Sequence, residues 1–172
     1  MRLPNLEVAS VFEDLYRRVL RLGFGGEDSV RSALTALVQR QMDPFETLLA
    51  RFLKHSLSYY DFAEREPERL YQALILGMLV TMHGTHEVRS NRESGFGRYD
   101  VMIFPKQAGQ AAVVMELKVL GKRETAEQAV ASALEQIRTR DYAAEARARG
   151  AGLVHEVAVM FEGKEVWVRR AE

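Results

Sequence analysis

RYDVMIF at residues 98–104 and AAVVMELKV at residues 111–119 carry the pattern that decides the fold. Both are dense in β-branched and large apolar side chains, and PKQAGQ between them is turn-forming, so they read as two consecutive strands. A strand alternates faces and rises about 3.3 Å per residue. In the second stretch this puts Ala112, Val114, Glu116 and Lys118 on one side, with the two charged groups roughly 6.6 Å apart. Val113, Met115, Leu117 and Val119 form the other side, which is apolar throughout and calls for a covering helix. A face that is apolar at one end and charged at the other belongs to a strand leaving the core for a cleft. In the first stretch Arg98, Asp100, Met102 and Phe104 alternate with Tyr99, Val101 and Ile103. Asp100 therefore opens an otherwise buried segment, where an unpaired carboxylate is costly and demands Arg98, Lys118 or a metal ion. If the strands pair antiparallel, the start of one lies beside the end of the other, and Asp100, Glu116 and Lys118 converge. Two carboxylates and a lysine, with room for water and phosphate, make an oxygen-rich site for Mg²⁺ or Mn²⁺ that suits phosphodiester hydrolysis. The plainer alternatives are a half-solvated edge strand and a Lys118–carboxylate salt bridge that needs no metal.

Upstream of this pair, THEVRSN (85–91) reads as another strand, joined to Asp100 by a glycine-containing loop within SNRESGFGRYD (90–100). Arg89, Arg92 and Arg98 surround Gly95 and Gly97 there, either as a clamp on a substrate phosphate or as partners of Glu87 and Glu93. REPERLYQALILGMLVTMHG (65–84) predicts a largely buried helix starting near Pro67. Downstream, the periodicity of Ala129, Ala133, Leu134, Ile137 and Tyr142 predicts one helix from about Thr125 to Ala148, stopped by Gly150. HEVAVMF (155–161) and EVWVRR (165–170) close the chain as a hairpin around EGK, with Trp167 read as packing. The order is helix, three strands, helix, two strands: an α/β fold with a mixed sheet flanked by helices.

Ahead of this unit, helices are expected over Leu6–Leu22, Ser29–Gln41 and Asp43–Ser56, the last with Pro44 at its first position. Residues 1–65 thus read as a helical extension or linker bundle and 66–172 as the second unit. The apolar faces of the bundle need a partner, which makes it an accessory bundle or a dimer surface.

Bulk composition narrows the function. The 172 residues hold 24 basic and 24 acidic side chains, so no global field draws in nucleic acid and any such affinity is local. Cysteine is absent, which removes thiolate nucleophiles, disulfides and cysteine zinc sites. His83 and His86 suggest zinc only weakly, because Gly84 breaks the helix between them and no third ligand is nearby. No GxxxxGK[ST] motif is present, and neither a signal peptide nor a membrane span is evident, so the cytoplasm is the expected location.

The aspartate followed by Glu-x-Lys on the next strand resembles the signature of the PD-(D/E)XK nuclease superfamily, whose restriction-endonuclease-like core is helix, three strands, helix, strand. More narrowly, YYDF, SNRESGFGRYDVMI, VVMELKV, ALEQIRTRDY and MFEGKEVWV look like the nuclease-like domain at the C-terminus of a group of AAA-type ATPase-like proteins, over roughly Ser58 to Arg170. PNLEV near the start is similar to the segment joining the two domains. The resemblance implies Asp100 and Glu116 as ligands of Mg²⁺ or Mn²⁺, Lys118 as catalytic lysine, and Glu68 in PERLY as the additional helix glutamate. Gln136 falls at the glutamine position of the later helix. Six residues on, Tyr142 is about 240° around a continuous helix and off Gln136's face, whereas Arg140 shares it. Gln72 stands where near relatives carry histidine. Arg92, Arg98 and Arg140 are the expected substrate contacts. The implied activity is metal-dependent hydrolysis of nucleic acid, DNA ahead of RNA. The competing readings are a silent nuclease fold that binds nucleic acid or protein, and an oligomerisation domain serving an AAA-type ATPase; a second copy of the chain, in a homo-oligomer, is a further possible partner.

Overall fold

The computed structural model describes residues 21, 23–56, 67–94, 97–121 and 124–171. The helix expected over 6–22, apart from Arg21, lies outside these residues, as do YYDF and the soft boundary near residue 65. The elements in chain order are α1 (Glu27–Val38), α2 (Asp43–Ser56), α3 (Pro67–Leu79), a 3₁₀ turn (Val80–Met82), β1 (His86–Ser94), β2 (Gly97–Pro105) and β3 (Ala111–Val119). They continue with α4 (Ala126–Thr139), α5 (Ala143–Ala148), β4 (Leu153–Glu162) and β5 (Glu165–Arg170). The strands form one sheet in the order β1-β2-β3-β4-β5. Only β3–β4 is parallel, because α4 and α5 carry the chain back across the sheet between them; the other pairs are antiparallel. This is the mixed sheet flanked by helices that the alternation in β2 and β3 predicts.

The alternating faces explain the layers. Val113, Met115 and Leu117 of β3, with Val101, Ile103, Val157, Val159 and Phe161, pack in one cluster with residues of α1, α2 and α3 such as Leu34, Leu49 and Ile75. The partner that the apolar faces of α1 and α2 need is therefore this sheet. Glu46 of α2 fastens them to the edge strand by accepting from the Val168 amide at 2.7 Å and from Arg169 Nη1 at 2.6 Å. Tyr71 of α3 stacks on Phe161 at 4.0 Å between ring centroids and donates its hydroxyl hydrogen to the Gly163 carbonyl at 2.7 Å. On the opposite face Ala112 and Val114 meet Ile137, Tyr142 and Ala146, while Ala129 and Ala133 bring α4 close to Ala158 and Met160. Thr125 starts α4 with a reciprocal cap, accepting from the Gln128 amide at 3.3 Å while the Gln128 side chain accepts from the Thr125 amide at 3.0 Å.

Three local expectations are corrected. The helix expected over 125–148 is two helices: Asp141 takes a left-handed conformation, φ 47°, which aspartate tolerates better than most residues. The break lets fully buried Tyr142 turn back to meet Tyr99 edge-on, with ring centroids 6.3 Å apart. The loop expected through 92–97 is mostly strand, since β1 runs to Ser94 and β2 starts at Gly97. Tyr99 does not share a face with Val101 and Ile103; it joins Met102 and Phe104 in the cluster under α4 and α5. The cause lies at Asp100, where the β1–β2 ladder skips from Ser90↔Val101 to Arg92↔Tyr99 and Asn91 sits at φ 52°.

The turns entering β3 and β4 cross at Gly109 and Gly152, tied by Gly109 N–H to the Gly150 carbonyl at 3.1 Å and Gly152 N–H to the Gln110 carbonyl at 3.0 Å. A Cβ on Gly152 would overlap the Gly109 carbonyl oxygen and stand 2.8 Å from its carbon, and neither backbone atom can yield easily. Gly152→Ala is expected to cost about 1–3 kcal/mol, read as a lower denaturant midpoint.

Candidate active site

β2 and β3 pair only through Val101↔Met115, Met102↔Val114 and Ile103↔Val113. Beyond Val101 the strands separate, and the Asp100 side chain occupies the opening, its Oδ2 accepting from the Leu117 amide at 2.8 Å. The antiparallel pairing thus places the start of β2 beside the end of β3, as the sequence requires for a convergence. Glu116 and Lys118 share the α4 face with Ala112 and Val114. Gln136 Nε2 of α4 donates to Glu116 Oε1, and Lys118 Nζ donates to Ser132 Oγ at 2.9 Å. Ser132, Gln136 and Arg140 follow one another at i, i+4 and i+8, so one stripe of α4 and its exit overlooks the end of β3.

The electrostatics show how tightly these groups are coupled. Glu116 is 5% exposed, and its Oε2 is buried without a hydrogen-bond partner among the described residues. Burial, and then the charge of Asp100, push its carboxyl from 4.5 up to about 8, against the pull of Lys118, Arg140 and the Gln136 hydrogen bond. Asp100 is raised too: burial dominates, the Leu117 amide opposes it, and Glu68 raises it while Lys118 lowers it. Asp100, Glu116 and Lys118 therefore lie within one another's fields, and burial outweighs the nearby positive charge. Glu68, exposed on the first turn of α3, lines a depression of about 360 Å³ together with Arg98 and Asp100. Arg98 is exposed there, and Arg140 reaches the field of Glu116 while donating to the Tyr142 hydroxyl at 3.1 Å. Arg92 lies on β1 opposite Tyr99, and its side chain falls outside the described residues. Arg89 is drawn away into ion pairs with Glu87 at 2.7 Å and Glu145 at 2.8 Å.

The donor set suits a hard divalent cation. A buried carboxylate oxygen without a protein partner, and two carboxyls reluctant to ionise on their own, are the features of a pocket that a cation would complete. Among the described residues no group of three His, Cys, Asp or Glu side chains is placed to hold a metal, so Asp100 and Glu116 would share the ion with water, backbone carbonyl and phosphate oxygens.

Several residues escape a reading by pattern. Gln72 of α3 donates from Nε2 to the Asp100 carbonyl at 3.3 Å and accepts from Asn91 Nδ2 at 3.3 Å, which ties α3 to the place where the ladder breaks. Ser132 is visible in principle, being one turn before Gln136. Tyr142 is hidden by a helix drawn straight through Asp141; with the break, its hydroxyl lies 3.4 Å from Gln136 Nε2. Gly97 owes its identity to this corner: a Cβ there would stand 2.5 Å from Arg140 Cδ and 3.2 Å from the Tyr142 hydroxyl.

A mixed five-stranded sheet opening at its second and third strands, with Asp, Glu and Lys at the opening, is a restriction-endonuclease-like α/β fold with N-terminal helices packed on it. The family model of the PD-(D/E)XK nuclease superfamily matches residues 66–171, and the chain belongs to that superfamily. No curated protein matches it. No helix among the described residues is long and apolar enough to cross a membrane.

Proposed function

We propose that this protein is a divalent-metal-dependent nuclease, with Asp100 and Glu116 as the ligands of Mg²⁺ or Mn²⁺ and Lys118 as the catalytic amine. The observation that carries this reading is the buried Oε2 of Glu116 beside Asp100, without a hydrogen-bond partner among the described residues, where burial holds both carboxyls above their usual values. The ion would supply Lewis-acid neutralisation of non-bridging phosphate oxygens and acidify a bound water. Lys118, steadied by Ser132, orients the attacking water and stabilises charge on the pentacoordinate phosphorus. Gln136 holds the Glu116 carboxylate, and Gln72 with Asn91 holds the Asp100 backbone. Glu68 lines a depression with Asp100 and Arg98 and adds negative charge beside Asp100, while Arg98 there and Arg140 near Glu116 would offer cations to a bound strand, with DNA ahead of RNA as substrate. The unit from 66 onward is the catalytic domain, and an AAA-type ATPase is its proposed partner.

The test is Mn²⁺ calorimetry followed by a cleavage assay on single- and double-stranded DNA and RNA, with and without chelator. Chelator-sensitive cleavage is the expected result. Metal binding with no cleavage of any substrate would leave a silent binding module. Gly97→Ala is expected to reduce cleavage about tenfold with a stability change under about 1 kcal/mol, because the added methyl group displaces Arg140 and presses on Tyr142 while the flexible arginine absorbs the strain. Rates and denaturant midpoints measured side by side check it.

A further inference from the structure

Away from the carboxylates, three arginines line one pocket of about 240 Å³: Arg40 in the turn after α1, Arg138 at the end of α4 and Arg170 at the end of β5. Acidic compensation is thin. Arg138 Nε is 3.7 Å from Glu156 Oε2, Arg170 Nη1 donates to the neighbouring Ala171 carbonyl at 3.1 Å, and Arg40 makes no ion pair among the described residues. Arg40 also occupies a left-handed position, φ 68°, where glycine is the easier residue at a helix end. The fields of Arg40 and Arg170, neither in an ion pair among the described residues, meet at His155. Burial first, and then Arg40 and Arg170, hold its imidazole below the usual value, while its Nε2–H donates to the Val38 carbonyl at 3.0 Å. The imidazole on the floor is already bonded, and among the described residues Glu156 is the one acidic side chain lining the pocket, set against three guanidinium groups.

We infer that Arg40, Arg138 and Arg170 form a phosphate-binding pocket, separate from the carboxylate site. Guanidinium groups present planar forks of donors that match phosphoryl oxygens in pairs, and an oxyanion relieves their mutual repulsion. The β3–β4 register sets Ala112 beside Val154 and Glu116 beside Ala158, so the pocket lies about 13 Å along the strands from Glu116. That is a few nucleotides of a strand. Arg138 and Arg170 also line a groove of about 500 Å³ that includes Trp167, and Arg40 and Arg170 line a broader depression of about 750 Å³, so the pocket adjoins further concave surface on both sides. Two sources share the chemistry: a flanking phosphate of a bound strand, which rests on the nuclease reading, or free phosphate, which does not.

The test is run in chelator, so that no cleavage intervenes. Inorganic phosphate is titrated by calorimetry against chloride at matched ionic strength, and a labelled single-stranded DNA is titrated by anisotropy. The proteins are wild type, Arg40→Ala/Arg170→Ala, Arg170→Lys and Asp100→Asn, each checked for fold by circular dichroism. Phosphate affinity is expected to fall tenfold or more in the double variant, less in Arg170→Lys, and not at all in Asp100→Asn. A parallel loss of DNA affinity assigns the pocket to the strand, and unchanged DNA affinity assigns it to free phosphate. Absence of phosphate binding to the folded wild type, or equal binding by the double variant, overturns the pocket. Failure of the cleavage assay bears on the nuclease reading alone.

Discussion

Asp100→Asn is expected to reduce metal-dependent cleavage by about 10³-fold or more while leaving the protein folded. The fold is spared because the Asp100 side chain has a structural task that an amide can perform: its oxygen accepts the Leu117 amide at 2.8 Å in the gap between β2 and β3. An asparagine carbonyl oxygen accepts the same hydrogen bond. What the substitution removes is the negative charge beside Glu116, and with it half of the carboxylate pair offered to a divalent ion. Lys118→Ala is the complementary case. Its amine lies over Ser132 and in the fields of both carboxylates, so its loss is expected to leave the proposed metal ligands in place and to slow the chemical step by about 10²–10³. Calorimetry separates the two: Mn²⁺ heat is lost in Asp100→Asn and retained in Lys118→Ala, while single-turnover cleavage falls in both. Equal cleavage by wild type and Lys118→Ala would remove the lysine from the mechanism. Cleavage that survives Asp100→Asn would remove the carboxylate pair.

How much of this could be read from the chain depends on where alternation holds. From Val101 to Phe104 and from Ala111 to Val119 strict period-two patterning gives both the layers and the side on which Glu116 and Lys118 stand, because each residue must satisfy one buried face or the other. At Asp100 the rule fails for a physical reason. There the Asp100 carboxylate takes the Leu117 N–H, the β2–β3 ladder ends, the β1–β2 ladder skips a pair at Asn91, and Tyr99 turns under α5. The same limit applies at Asp141. Helical periodicity carries through it on paper, since Tyr142, Ala143 and Ala146 are all buried and nothing local to the pattern marks a single left-handed residue. Long-range polar contacts such as Gln72 to the Asp100 carbonyl have no periodic signature at all, because they join residues 28 apart through side-chain reach alone. Arg40, Arg138 and Arg170 are similarly scattered along the chain, and only the sheet order collects them.

In metal-free solution the protein is expected to lose stability as pH rises from about 5 to about 8, and a divalent ion is expected to reverse the loss. Glu116 ionises near 4.5 when unfolded and at about 8 when folded, with burial the main cause and Asp100 second. Between those values the folded state holds a proton that the unfolded state has released, so stability falls with each step in pH, and the loss is complete above the folded value. A tenfold difference in acidity between the two states corresponds to roughly 1.4 kcal/mol, which makes the full effect on the order of a few kcal/mol. Asp100, also raised by burial, moves stability the same way at lower pH. Glu116→Gln keeps an acceptor for Gln136 Nε2 but cannot ionise, so its denaturation midpoint should change less over the same range. On the proposed reading Mn²⁺ would bind only the folded arrangement and compete with the proton, so saturating metal should raise the wild-type midpoint more at pH 8 than at pH 5 and have little effect on Glu116→Gln. Thermal denaturation at the two pH values, with and without Mn²⁺, gives the comparison directly. Identical pH slopes for wild type and Glu116→Gln would mean that the carboxyl is already charged in the metal-free fold, and an equal response to Mn²⁺ in both would mean that Glu116 is not a ligand.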